Sequence, residues 1–306
     1  MKILRAFISM DSRRKKVVIT TKLMLAASAL VCALLFVIIL ILFSGSLPLL
    51  KQESIINILF SSFWNPGKGG FGLYPIIIGT VYVTGIAMLF SVPVSILSSI
   101  YIAEYAEGRV RNIIKSFVDV LAGVPSVVYG MCAIIVLVPL VRDYMAPFLG
   151  ATSTGFCILT AGMILAIMVF PIIISICVDV FRAVPNELRE VSYAIGATKW
   201  ETIKHVVFRA AFPGVSSAVL LGFGRAFGET MAVCMVVGNI PRLSSSVFEP
   251  GTTLAAFIAT NFGEMMSVPF YYSAMMLMAL ILILVVLIFN IIAKIIIRKS
   301  YGGGGR

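Results

Sequence analysis

Residues 23–43 read LMLAASALVCALLFVIILILF, with no charged side chain in the run. A helix rises about 1.5 Å per residue, so this stretch alone crosses the roughly 30 Å hydrocarbon layer of a bilayer. A soluble domain has no place for it. The rest of the 306-residue chain agrees: 60% of residues are hydrophobic, 12% are charged, and the mean hydropathy is +1.08. Ordinary soluble domains carry about 25% charged residues, and disordered chains have low hydrophobicity, so both classes are excluded. Lys15, Lys16 and Lys22 precede the run as they would in a secretory leader. The run is longer than a leader's core of about 7–15 residues, and no small-residue cleavage site follows cleanly, so it is expected to stay as a helix.

Five more stretches qualify as spans, at roughly 75–103, 116–141, 152–178, 213–240 and 271–297. The predicted fold is an all-α membrane protein with six transmembrane helices. Its expected parts are a basic tail (1–22), a first helix with an outer segment (23–74), a core of five helices (75–297) that contains the loop 179–212, and a C-terminal tail (298–306). The run Gly302–Gly305 is low-complexity and is left out of the fold.

Charge sets the orientation. The net charge is +11, from 24 Lys+Arg against 13 Asp+Glu. With both termini in the cytoplasm, nineteen of those 24 fall in the N-terminal tail, the segments 104–115 and 179–212, and the C-terminal end. Only Lys51, Lys68, Arg142 and Arg242 fall outside. This is the positive-inside distribution, and it leaves no basic excess that calls for nucleic acid. Glu104 and Glu107 read as solvated loop charges, and Asp119 as an interfacial or partner-facing carboxylate. The outer segment 44–74 holds Trp64, suited to a membrane interface, and Gly67, Gly69, Gly70 and Gly72, which suggest turns. The five cysteines lie singly, without metal or redox spacing, and there is one histidine, so no metal site and no cofactor bound by this chain are expected.

The loop 179–212 is amphipathic. Pro185 can open a helix; Leu188, Val191 and Ile195 recur at helical spacing among Glu187, Arg189 and Glu190; Gly196 is placed to end it. Thr198 and Glu201 have the spacing of a capping box, so a second helix starts there, with Trp200, Ile203 and Val207 on its apolar side. Such a helix docks in a groove of a partner protein or lies on lipid.

The fifth span carries the one basic residue inside the membrane, Arg225. Counted from Pro213 as the first turn, it lies about 18 Å along, roughly mid-bilayer. The i, i+4 spacing places Glu229 on the same face, and Gly224 and Gly228 beside them allow close approach by another helix. The pair is either a packing ion pair or a charged element of a solute path. In the second case the guanidinium suits an oxyanion, which it binds in bidentate fashion, while Glu229 positions or neutralises it. Thr230 follows as a further polar path residue. Gly123, Pro125 and Ser126 predict a bend in the third span, either a packing kink or a site where freed backbone groups line a path.

Two of these segments carry a family resemblance. Glu190-Val191-Ser192 followed by Gly196 resembles the coupling loop of ABC-transporter permeases, with Val191 and Ser192 at two alanine positions and no proline at the distal end, Val206-Val207-Phe208-Arg209, the nearest being Pro213. On that pattern Glu187, Glu190, Ala194 and Gly196 are the coupling residues. Gly224-Arg225-Ala226-Phe227-Gly228-Glu229-Thr230-Met231-Ala232-Val233, ending in Gly238-Asn239, is similar to the matching helix of phosphate-specific ABC permeases. So is Gly123-Val124-Pro125-Ser126-Val127-Val128-Tyr129-Gly130. Trp64-Asn65-Pro66 resembles the C-type permease subunit of those importers. The resemblance implies the type I importer permease architecture in a bacterial or archaeal plasma membrane. It also implies a heterodimer with a related permease, two ATPase subunits that bind ATP and Mg, and an extracytoplasmic phosphate-binding protein. The chain has no G-x-x-x-x-G-K-[ST] loop and is expected not to hydrolyse ATP itself. Other oxyanions, such as molybdate or sulfate, and a passive anion channel remain as alternative readings.

Overall fold

A computed structural model describes residues 2–263 and 268–302, and of 2–18, 293 and 296–302 the backbone alone. The chain is helical, with α1 (Lys2–Gln52), α2 (Ile55–Phe60), α3 (Tyr74–Tyr105), α4 (Gly108–Gly123), α5 (Ser126–Phe148), α6 (Ile158–Arg182), α7 (Asn186–Ala194), α8 (Lys199–Gly228), α9 (Met231–Val236), α10 (Leu254–Asn261) and α11 (Tyr271–Gly302). Within α1, α3, α5, α6, α8 and α11 lie six stretches long and apolar enough to cross a membrane, as the sequence predicts. The glycine tail from residue 303 onward lies outside the described residues.

The centre of the bundle is α3 against α6 and α6 against α8. Small residues let these backbones approach. Ser91, Ser95 and Ser99, at i, i+4 and i+8 of α3, are fully buried. A Cβ on Gly162 of α6 would lie 2.5 Å from Ile86, and one on Gly214 or Gly222 of α8 would meet Val180 or Ile173. α1 leaves this centre and packs on α11, where Gly45 faces Met276, while residues 23–38 of α1 are exposed.

A second apolar cluster closes one end. Trp64 and Asn65 pair with Phe71 and Gly70 in a short antiparallel hairpin whose turn uses Gly69 in the left-handed region (φ 76°). Trp64 is half-buried and packs against the cluster, with ring centroids 5.1 Å from Phe257, 5.9 Å from Phe71 and 6.3 Å from Tyr271. The opposite end carries Arg111, Lys115, Arg189 and Lys199 and is called the basic end below.

The first span is longer than expected, Ile19–Gln52, and the fourth begins at Ile158; the third and fifth differ for a structural reason. The third begins at Ser126, not near residue 116. Pro125 forces the residue before it out of the helical region, and Val124 is extended (ψ 131°), so α4 stops at Gly123 and forms a separate amphipathic helix. The break therefore lies at the entry to the third span and not within it. The fifth span begins earlier, at Lys199, runs through Pro213 instead of starting there, and ends at Gly228.

Candidate functional site

The register of α8 on α6 fixes the depth of Arg225. Gly214 packs on Val180, and Gly222 on Val169 and Ile173, in antiparallel sense. Extending that register sets Arg225 opposite Met168, near the middle of α6. Three residues later the helix ends: Glu229 is extended (ψ 127°) and Thr230 leads into α9. The Thr230 hydroxyl donates to the Gly228 carbonyl at 3.1 Å. Short hydroxyl side chains compete in this way with helical hydrogen bonding. A helix-period reading of 213–240 puts Arg225 and Glu229 on one face, but the break separates them. Glu229 Oε1 instead accepts from the Ala232 amide at 3.5 Å. Among the described residues Arg225 has no ion-pair partner.

Arg225 and Glu229 line one open cavity of about 560 Å³, together with Ile172, Gly224, Gly228 and Asn290. The Arg225 side chain is exposed there. A lone guanidinium at the depth of the middle of α6 costs at least about 2.5 kcal/mol on insertion scales, so this face requires water, an anion or another chain. Gly224 and Gly228 have open space where a Cβ would stand, with no atom of the described residues within 4 Å of it. Sequence reasoning missed Asn290. The signal was present, a lone amide in the otherwise apolar 271–297 run; its Nδ2 donates to the Val286 carbonyl at 2.8 Å.

Gly123, Pro125 and Ser126 sit apart from that cavity's lining, at the entry to α5. α5 and α9 run side by side: Gly130 is so close to Ala232 and Met235 that a Cβ would lie 2.5 Å from the Met235 sulfur. Each of these two segments is entered through a backbone break, one at Val124-Pro125 and one at Glu229-Thr230.

The basic end holds the amphipathic segment 179–212. Pro185 precedes α7, and Gly196 (φ 86°) turns the chain after it. Thr198 and Glu201 form the capping box: Glu201 N donates to Thr198 Oγ1 at 3.4 Å, and Thr198 N donates to Glu201 Oε2 at 2.8 Å. Glu187, Glu190 and Ala194 are exposed, as are Leu188, Val191 and Ile195. Small Ser192 turns inward and shares a 2.9 Å hydrogen bond with Thr202 of α8. Of the expected apolar side of α8, Ile203 and Val207 are buried and Trp200 is exposed.

Glu104 requires correction. It is not a solvated loop charge: its side chain is 8% exposed and meets Arg189 of α7 at 2.7 Å, with a second contact at 3.3 Å. Local reading could not find this pair, because its members are 85 residues apart.

The chain belongs to the binding-protein-dependent transport system inner membrane component family, whose model matches residues 92–300. It is 38% identical over 256 residues to a phosphate transport system permease protein PstC of Xylella fastidiosa (79% of this chain, 78% of that protein). It is 39% identical over 237 residues to the protein of that description from Mesorhizobium japonicum (73% and 72%). A probable phosphate transport system permease of Methanocaldococcus jannaschii is 32% identical over 272 residues (84% and 86%). The fold matches the MetNI methionine ABC transporter (TM-score 0.58, 16% identity, 74% of this chain, 95% of that chain) and a bacterial alginate ABC transporter complex (TM-score 0.59, 15% identity, 84% and 87%). The architecture is that of type I importer permeases, and the protein is a multi-pass plasma-membrane protein.

Proposed function

We propose that this chain is one permease half of an ATP-driven phosphate importer. The relatives named for phosphate transport, at 38–39% identity over most of the chain, support the substrate. One observation carries the anion path: among the described residues Arg225 has no ion-pair partner, and it faces a cavity that Glu229 also lines. Its planar donors suit a tetrahedral oxyanion, and the absence of a carboxylate partner leaves them free for it. Glu229, held toward α9, balances charge without direct contact, and Thr230 adds a hydroxyl at the break. The breaks before α5 and α9 supply backbone groups and room for one half-helix to shift against the other.

The rest of the machine follows from the family. A related permease covers the exposed faces of α1 and of Gly224 and Gly228. Two ATPase subunits bind ATP and Mg and seat the exposed Leu188, Val191 and Ile195, with Glu187, Glu190, Ala194 and Gly196 shaping that contact. The basic end and both termini face the cytoplasm, as the positive-inside distribution requires. An external phosphate-binding protein delivers substrate at the Trp64 end.

The test is uptake of radiolabelled phosphate into proteoliposomes holding the assembled complex. ATP-dependent uptake that excess sulfate or molybdate does not suppress is the expected result. Uptake without ATP would make the chain part of a passive channel, and suppression by molybdate or sulfate would reassign the substrate.

A further inference from the structure

The last turn of α3, Tyr101–Tyr105, is a wide turn closed by the Ala106 amide on the Tyr101 carbonyl at 2.9 Å. Three separate elements of the basic end hold it. From α7, Arg189 meets the Glu104 carboxylate in bidentate fashion, and the same guanidinium donates to the carbonyls of Val184 (2.6 Å) and Phe181 (2.9 Å) at the end of α6. From the first turn of α8, the Lys199 ammonium lies 4.3 Å from the centroid of the Tyr105 ring. From α4, Arg111 donates to the carbonyls of Ala106 (2.8 Å) and Ile102 (3.1 Å). The Arg189 and Glu104 side chains are 14% and 8% exposed, so the pair is held away from water, unlike the solvated pair Lys115–Asp179.

We infer that Glu104 and Arg189 are positioning residues that fasten the coupling helix α7 to α3, so that a displacement of α7 is delivered to the transport core through α3. α3 makes the most extensive helix–helix contact of that core, along α6, with Ser91, Ser95 and Ser99 fully buried, so it moves with α6 as a body and not by local yielding. A buried, bidentate ion pair holds one geometry, which is what a linkage under load requires. The exposed face of α7 receives the motion; the buried face, through Arg189, passes it on. This rests on the importer reading, but only for the source of the motion.

The assembled complex provides the test, with Glu104→Gln as the variant, since it removes the charge and keeps the shape and the Arg189 bonds to α6. Two measurements are made: phosphate uptake per ATP hydrolysed in proteoliposomes, and hydrogen exchange by mass spectrometry with and without ATP and Mg. Hydrolysis is expected to persist while uptake per ATP falls by about tenfold. ATP is expected to change exchange in 186–194 in both proteins, and in 101–106 in the wild type alone. Glu104→Asp, which keeps the charge, is expected to recover part of both signals, and serves also if the glutamine variant fails to assemble. An unchanged uptake-to-hydrolysis ratio, or an ATP response in 101–106 that survives Glu104→Gln, overturns the linkage. The exchange measurement needs no phosphate, so a failed importer reading shows up separately, as absent uptake in the wild type.

Discussion

Arg225 and Glu229 are four residues apart and line the same cavity, yet they belong to different structural units: Arg225 to the last turn of α8, and Glu229 to the break that leads into α9. The carboxylate reaches forward to the Ala232 amide and leaves the guanidinium uncommitted. Arg225→Ala in the assembled complex is therefore expected to lower phosphate uptake by about ten- to a hundredfold, the worth of one or two charge-assisted hydrogen bonds. Arg225→Lys should keep part of it, because it keeps charge and loses bidentate geometry. Glu229→Gln should cost less than Arg225→Ala. Uptake rates normalised to assembled complex check all three; full transport in Arg225→Ala would remove the residue from the path.

Gly222 and Gly224 make a contrasting pair on α8. A Cβ at Gly222 would sit 2.8 Å from Ile173, whereas at Gly224 it meets nothing within 4 Å. Gly222→Leu is expected to destabilise the chain by about 1–3 kcal/mol through overpacking. Gly224→Ala should leave the chain's melting temperature in detergent unchanged. If the second variant impairs only assembly with the partner permease, Gly224 lies at that interface.

The capping box gives a local prediction. Thr198→Ala removes the acceptor for the Glu201 amide and should cost about 1 kcal/mol at the start of α8. Faster hydrogen exchange confined to the first turn after residue 198 is the expected readout; no change there would mean the box is dispensable.

Val191 is exposed on α7 and supports nothing inside the chain. Val191→Asp is expected to leave folding of the isolated chain intact, since surface substitutions usually change stability by less than about 0.5 kcal/mol. It should abolish co-purification of the ATPase subunits. Retained co-purification with normal uptake would place the docking face elsewhere.

Much of this was written locally. Apolar runs give spans because lipid offers backbone groups no partner and compels helices. The capping box, the turn at Gly196 and the break at Pro125 follow from contacts within four residues. The span bounds were less legible for the same reason: hydropathy does not register a backbone break, so α4 merged with α5, and α8 with α9. The site was half legible. Arg225 stands out in any reading of the sequence, because a charge inside a span is expensive; that Glu229 does not neutralise it depends on a break only three residues further on.

The sequence by itself determined the six crossings, their expected orientation, the amphipathic segment at 179–212 and the single mid-span cation, all properties of composition and short-range spacing. Only the tertiary structure decided which charges meet. It set Glu104 against Arg189, left Arg225 without an ion-pair partner among the described residues, and brought Asn290 to the same cavity as Arg225. Pairings between residues far apart in the chain depend on helix register, and that register is set by small residues such as Gly162, Gly214 and Gly222, where backbones approach closely enough to fix which turn faces which.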